Sequence, residues 1–193
     1  MNLPNILTVC RILVTPIFII LLFHDHPYAK SWALFIFVAA MLTDIFDGYY
    51  ARKHNLVTDY GRFLDPLADK VMVLSALISF AVMGIVPYWM VSLIIFRDVF
   101  VTGLRMAMST KNKTMVTSKI AKRKTLSQVL IIIFILCNIG FNTLSISWIG
   151  DVILFSKQYE LIYYLTLLVT VFTVFTGLTY LYTNRSVIRQ FIS

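Results

Sequence analysis

Asp44 and Asp47, then Asp65 and Asp69, stand at D-x2-D and D-x3-D spacing within Asp44-Ile-Phe-Asp47-Gly48-Tyr-Tyr-Ala51-Arg52 and Gly61-Arg-Phe-Leu-Asp65-Pro-Leu-Ala-Asp69. They are four of only nine acidic residues in the chain, and their neighbours are apolar. Ionised carboxylates in a hydrocarbon setting are costly and mark function by default. Gathered together they repel one another unless cations lie between them. No Cys lies nearby, and His54 in the intervening loop reads as solvated. An all-oxygen donor set suits hard divalent cations, Mg2+ or Mn2+, over zinc or copper. The competing account is a set of helix caps and ion pairs with Arg52, Lys53, Arg62 and Lys70, but solvated pairs need no fixed spacing.

On a helix, Asp44 and Asp47 share one face, as do Asp65 and Asp69 on the next segment. A loop of about a dozen residues would return the chain antiparallel and let the pairs converge at one end of a bundle. Gly48 lies one turn beyond Asp44 and removes a side chain from that face. This suits either close approach by a ligand or helix–helix packing, and Gly61 reads the same way. Arg52 extends the Asp44–Gly48 stripe, where its guanidinium can clamp a phosphate or anchor the helix at the membrane surface. Asp65 precedes Pro66 as an N-cap precedes a first-turn proline. Capping leaves Asp69 unexplained.

The elements that must position these residues are long and greasy. The 193-residue chain is 59% hydrophobic and only 13% charged, with a net charge of +8, and its mean hydropathy is +0.83. That is too apolar for a soluble globule. Six apolar segments of membrane-spanning length run over Ile6–Phe23, Trp32–Tyr50, Pro66–Val86, Tyr88–Met108, Leu126–Ile146 and Leu161–Tyr182. The expectation is one all-α domain over residues 1–193, a polytopic membrane protein with six transmembrane helices in one bundle. His24–Pro27, Gly84–Pro87 and Gly140–Lys157 read as connections of little charge.

The basic residues collect elsewhere. Arg52, Lys53, Arg62 and Lys70 flank the second connection, Lys111 to Lys124 fill the fourth, and Arg185 and Arg189 lie in the tail. By the positive-inside rule both termini and the carboxylate end face the cytoplasm. Charge placed in this way argues for anionic head groups and phosphorylated substrates as partners, with no nucleic acid. Cys10 and Cys137 lack metal or redox spacing and read as packing residues. The first apolar run is interrupted by Arg11 and reads as no cleavable signal.

The full pattern D-x2-D-G-x2-A-R-x8-G-x3-D-x3-D resembles the signature of the CDP-alcohol phosphotransferases, with every fixed position present. The six-segment layout resembles that family too, so the likeness covers essentially the whole chain. It implies that Asp44, Asp47, Asp65 and Asp69 bind two divalent cations, Mg2+ or Mn2+, and that Asp69 is also the general base. It implies that Gly48, Arg52 and Gly61 contact the cytidine diphosphate group. A homodimer in a bacterial plasma membrane, among membrane lipids, is implied as well.

Further positions resemble the branch of the family that uses CDP-diacylglycerol as donor and glycerol 3-phosphate as acceptor. Asn5, Leu7, Thr8 and Arg11 match N-x-L-T-x-x-R; Asn5 and Thr8, placed with the CDP-lipid by this likeness, also suit helix caps. Arg97-Asp98 and Thr102-Gly103-Leu104-Arg105 match R-E and S-G-L-R, and Ala121 to Thr125 match G-K-x-K-T; Asp98 and Ala121 are departures. An arginine at the end of an apolar span needs an anionic partner, and Asp98 can satisfy only one of two. Arg105, Lys122 and Lys124 are therefore expected around the acceptor's phosphate, where the likeness also places Arg11 and Thr125; ordinary positive-inside flanking explains the same charges without a ligand. Two rivals stand beside this reading. One is a sister enzyme accepting serine, inositol phosphate or phosphatidylglycerol. The other is a cation transporter, which calls for midplane carboxylates and a repeat-related partner set; these carboxylates lie toward one end, with no second copy.

Overall fold

A computed structural model describes residues 3–53, 59–109, 119–141, 147–185 and 187–188, with side chains for 9–43, 70–108, 124–141, 150–185 and 187–188. Among these residues all regular structure is helical. The helices are α1 (Leu3–Phe23), α2 (Ala29–Lys53), α3 (Asp59–Val82), α4 (Tyr88–Ser109), α5 (Lys119–Gly140), α6 (Ser147–Gln158) and α7 (Leu161–Thr183). Packing runs around a ring: α1 touches α2 and α3, α3 touches α4, α4 touches α7, α7 touches α5, and α5 closes on α2. A further contact joins α3 to α5 across the ring.

The apolar core fills one end of this ring. Phe18 and Leu22 of α1 meet Phe37 of α2, Leu77 and Phe80 of α3, Met90 and Ile94 of α4, and Ile135 and Leu136 of α5, all fully buried. Phe18 and Phe37 stack at a tilt with ring centres 5.8 Å apart. The turn from α3 to α4 is fixed by Gly84, whose φ of 71° suits a residue without Cβ. The amide of Gly84 donates to Ala81 O at 3.0 Å and that of Ile85 to Phe80 O at 2.9 Å. That is the paired closure of a Schellman helix end.

The outward faces of the helices are as apolar as the core. The inward face of α7 carries Thr166, Thr170, Thr173 and Thr176, while its outer face shows Leu168, Val171, Phe175 and Leu178. Three of these threonines turn their hydroxyls onto their own helix: Thr166 donates to Ile162 O at 2.6 Å, Thr170 to Thr166 O at 2.8 Å and Thr176 to Thr173 O at 2.9 Å. Leu13, Ile20, Phe35 and Phe96 are likewise exposed on other helices. A greasy exterior suits lipid as the solvent, and small polar side chains on inward helix faces suit helix packing within it. Among the described residues, one helix, α7, is long and apolar enough on its own to cross a membrane.

Several boundaries differ from the sequence expectation, among them the start of α5, which lies at Lys119 and not at Leu126. α3 starts at Asp59 and not at Pro66, so Asp65 lies inside the helix and does not cap it. The apolar run begins at Pro66, but carboxylates and lysines do not stop a helix, and a proline in an early turn costs only a local bond. Only five residues then separate α2 from α3, in place of about a dozen. α5 ends at Gly140, short of Ile146, and part of the stretch read as a plain connection folds as α6, twelve residues packed on α7.

Candidate active site

The four-carboxylate motif is split between the end of α2 and the start of α3. Asp44 and Asp47 fall three residues apart on α2, and Asp65 and Asp69 four apart on α3, so each pair occupies one helical face. The short link keeps the end of α2 within roughly 20 Å of the start of α3. Both helices pack on α1. The side chains of Asp44, Asp47, Gly48, Arg52, Gly61, Asp65 and Asp69 lie outside the described residues, as do those of Asn5, Thr8 and Lys122. Asn5 and Thr8 fall within α1 and Lys122 within α5.

The described part of the site begins next door. Lys70, the residue after Asp69, reaches from α3 to α4, donating to Asp98 O at 3.1 Å and to Thr102 Oγ1. Asp98 is 2% exposed and is the hub of a polar cluster. Its Oδ1 accepts from Lys124 Nζ on α5 and from Arg97 Nη1 at 3.2 Å. Its Oδ2 accepts from Gln128 Nε2 at 3.3 Å. Arg97 continues to α7, where Nη2 donates to Thr176 Oγ1 at 3.3 Å. Gly177 makes room for it, since a Cβ there would lie 2.8 Å from Arg97 Cγ.

Local sequence explains the cluster. Asp98 and Thr102 are one turn apart on α4, and so are Lys124 and Gln128 on α5, so each helix presents two groups on one face. A carboxylate with two oxygens accepts all three donors, and a helical carbonyl keeps a lone pair for a lysine after its helix bond is made. Among the described side chains of this cluster, Arg97 and Lys124 share the Asp98 carboxylate, while Lys70 binds the backbone carbonyl of Asp98.

The residues expected around an acceptor phosphate stand in separate settings. Lys124 is buried and ion-paired with Asp98. Thr125, its neighbour, is exposed. Arg105 is also exposed, its guanidinium carbon 5.6 Å from the ring centre of Tyr180. Arg11 is buried at the α1–α2 contact, where a lateral groove of about 270 Å3 also touches Ala39, Ala40 and Thr43. Thr43 directly precedes Asp44, so Arg11 stands on the carboxylate side of the bundle. From sequence Lys70 reads only as a flanking charge and Thr102 only as a motif match, and Gln128 and Thr176 carry no role. The one-turn spacings of Asp98 with Thr102 and Lys124 with Gln128 were the available signal.

The family model for CDP-alcohol phosphatidyltransferases matches residues 1–176. The chain belongs to this family. Among the phosphatidyltransferase relatives is the CDP-diacylglycerol–glycerol-3-phosphate 3-phosphatidyltransferase of Bacillus subtilis (strain 168). It is 39% identical over 157 residues, which cover 75% of this chain and 81% of the relative. The protein of the same name from Rickettsia bellii (strain RML369-C) is 38% identical over 154 residues, 79% of this chain and 85% of that one. Membership accounts for the eight fixed motif positions, and this phosphatidyltransferase carries them on α2 and α3.

Proposed function

We propose that the chain transfers the phosphatidyl group of CDP-diacylglycerol to glycerol 3-phosphate, releasing phosphatidylglycerophosphate and CMP. The observation that carries this is the match to relatives of that activity over three quarters or more of the chain, at 38–39% identity. One domain over residues 1–193 holds the reaction. Six helices of 21 to 25 residues, α1 to α5 and α7, are each long enough to cross roughly 30 Å of hydrocarbon. We read all six as spans, with both termini and the carboxylate end in the cytoplasm of a bacterial plasma membrane. The twelve-residue α6 is too short to span and lies at the opposite surface.

The chemistry follows from the donor set. Asp44, Asp47, Asp65 and Asp69 offer only oxygen, which fits Mg2+ or Mn2+, and these four residues would hold two such ions. When bound, the ions neutralise the diphosphate and stabilise CMP as it leaves. Asp69 takes the proton of the acceptor hydroxyl as its oxygen bonds to the lipid-side phosphorus and the bond from that phosphorus to CMP breaks. Gly48 and Gly61 admit the nucleotide closely, Arg52 pairs with its phosphates, and Asn5 and Thr8 border the donor lipid. Arg11, Arg105, Lys122 and Thr125, which stand apart on α1, α4 and α5, would close on the acceptor's phosphate as it binds, with Lys124 sharing its ammonium between that phosphate and Asp98. Acyl chains remain in the bilayer, and a second copy of the chain completes a homodimer.

The acceptor assignment is tested with Arg105→Ala. Arg105 is exposed and its contact with Tyr180 is worth under about 1 kcal/mol, so the fold survives its loss. Loss of a charge-assisted contact is expected to raise KM for glycerol 3-phosphate by about ten- to a hundredfold, with KM for CDP-diacylglycerol nearly unchanged. Equal shifts in both would move Arg105 out of the acceptor pocket. Labelled serine, inositol phosphate and phosphatidylglycerol are run beside glycerol 3-phosphate, and preference for any of the three would overturn the assignment.

A further inference from the structure

We infer that Lys70, held by Asp98 and Thr102, is a positioning residue that fixes the axial height and rotation of the turn of α3 carrying Asp69. The inference rests on the phosphatidyltransferase reading, because that reading gives Asp69 its role.

The geometry is that of a latch between two helices. Asp98 O and Thr102 Oγ1 sit one turn apart on the same face of α4 and receive the one ammonium of Lys70. The receiving side is itself immobilised. Asp98 is tied to α5 by Lys124 and Gln128, which are 2% and 1% exposed, and Arg97 is tied to α7 through Thr176. One lysine thus ties α3 to α4, which is itself tied to α5 and α7. One residue of slip along a helix moves each side chain by about 1.5 Å and turns it by about 100°. Asp69 is adjacent to Lys70 in sequence, so such a slip would carry its carboxylate away from a placement that proton transfer requires.

Stability alone is a poor reason for this arrangement. Buried ion pairs such as the Lys124–Asp98 pair that anchors the latch are often replaceable by apolar side chains of similar volume at no loss of stability. What charged partners supply, and hydrocarbon does not, is a unique register between sliding helices. Metal-site residues likewise depend on outer groups that orient them, and loss of such a group costs about ten- to a hundredfold in affinity or activity.

The test uses the full-length protein purified in lipid–detergent micelles, with Lys70→Met and Thr102→Val. Methionine keeps an unbranched apolar stem, and valine keeps the shape of threonine. Lys70→Met is expected to lower kcat by about ten- to a hundredfold and to weaken Mn2+ binding, read by electron paramagnetic resonance without substrate, by about tenfold. KM for glycerol 3-phosphate should change less than about threefold, because on this account Lys70 touches no substrate. Thr102→Val should shift kcat and Mn2+ binding in the same direction by a smaller factor, with the unfolding midpoint held near that of the parent. Lys70→Arg, which keeps the charge and reaches the same acceptors, should recover part of the loss. A raised KM for glycerol 3-phosphate at constant kcat would overturn the inference and make Lys70 a substrate ligand. Parent values of kcat and Mn2+ affinity in both Lys70→Met and Thr102→Val would overturn it too. If the parent protein transfers nothing to glycerol 3-phosphate, the functional reading fails, and the substrate-free Mn2+ titration still decides the latch.

Discussion

Replacing Asp69 by Asn is expected to lower turnover by roughly a hundred- to ten-thousandfold while CDP-lipid binding stays largely intact. Asparagine matches the carboxylate in shape but cannot accept the acceptor's proton at neutral pH. It also contributes no negative charge to a cation. Donor binding survives because it is distributed over Gly48, Arg52, Gly61 and the remaining carboxylates. The check is kcat from CMP release, beside equilibrium binding of CDP-diacylglycerol to the same preparation. Turnover at the parent rate would remove Asp69 from the role of base.

The second large effect concerns Asp98. Asp98→Ala leaves Lys124 buried without its carboxylate, and Arg97 with Thr176 alone among the partners seen here; the side chains of Asp98 and Lys124 are each 3% exposed. Removal of one partner from such a pair costs about 3–5 kcal/mol. The loss is expected as an earlier unfolding transition in mixed micelles, followed by tryptophan fluorescence. The double variant Asp98→Leu with Lys124→Met should regain part of that stability, since the buried ammonium is gone while Arg97 and Gln128 still lack their acceptor. A single variant within about 1 kcal/mol of the parent would show the pair to be solvated in the membrane. The double variant is also informative about function: it restores packing at the hub and removes the lysine assigned to a shared role at the acceptor phosphate.

How far the sequence revealed this depends on the kind of information each feature carries. Helices of spanning length were legible because apolar runs of that length are bounded by loops and charges; α1, α4 and α7 fall close to the expected limits. The start of α3 was not, because hydropathy marks where lipid begins and helices continue past that point into Asp59–Lys70. α6 escaped because its twelve residues mix Ser, Asp and Lys with short apolar runs, which gives neither a span nor a strong stripe. The motif pairs were legible as faces of helices, since spacing alone fixes a face. The hub at Asp98 was not, because it depends on how α3, α4 and α5 are rotated about the bundle. Lys122 and Lys124 illustrate this: two residues apart on one helix they diverge by about 200°, and sequence does not say which turns inward. The structure turns Lys124 inward onto Asp98.

The claim at the centre is that the carboxylates of α2 and α3 work with divalent cations on a CDP-activated lipid. The most direct measurement follows CMP and labelled lipid together, using purified protein, CDP-diacylglycerol and labelled glycerol 3-phosphate. Equal amounts of CMP and labelled phosphatidylglycerophosphate are expected, falling to background in excess chelator and returning when Mn2+ or Mg2+ is restored. Transfer that continues undiminished in excess chelator would contradict the account.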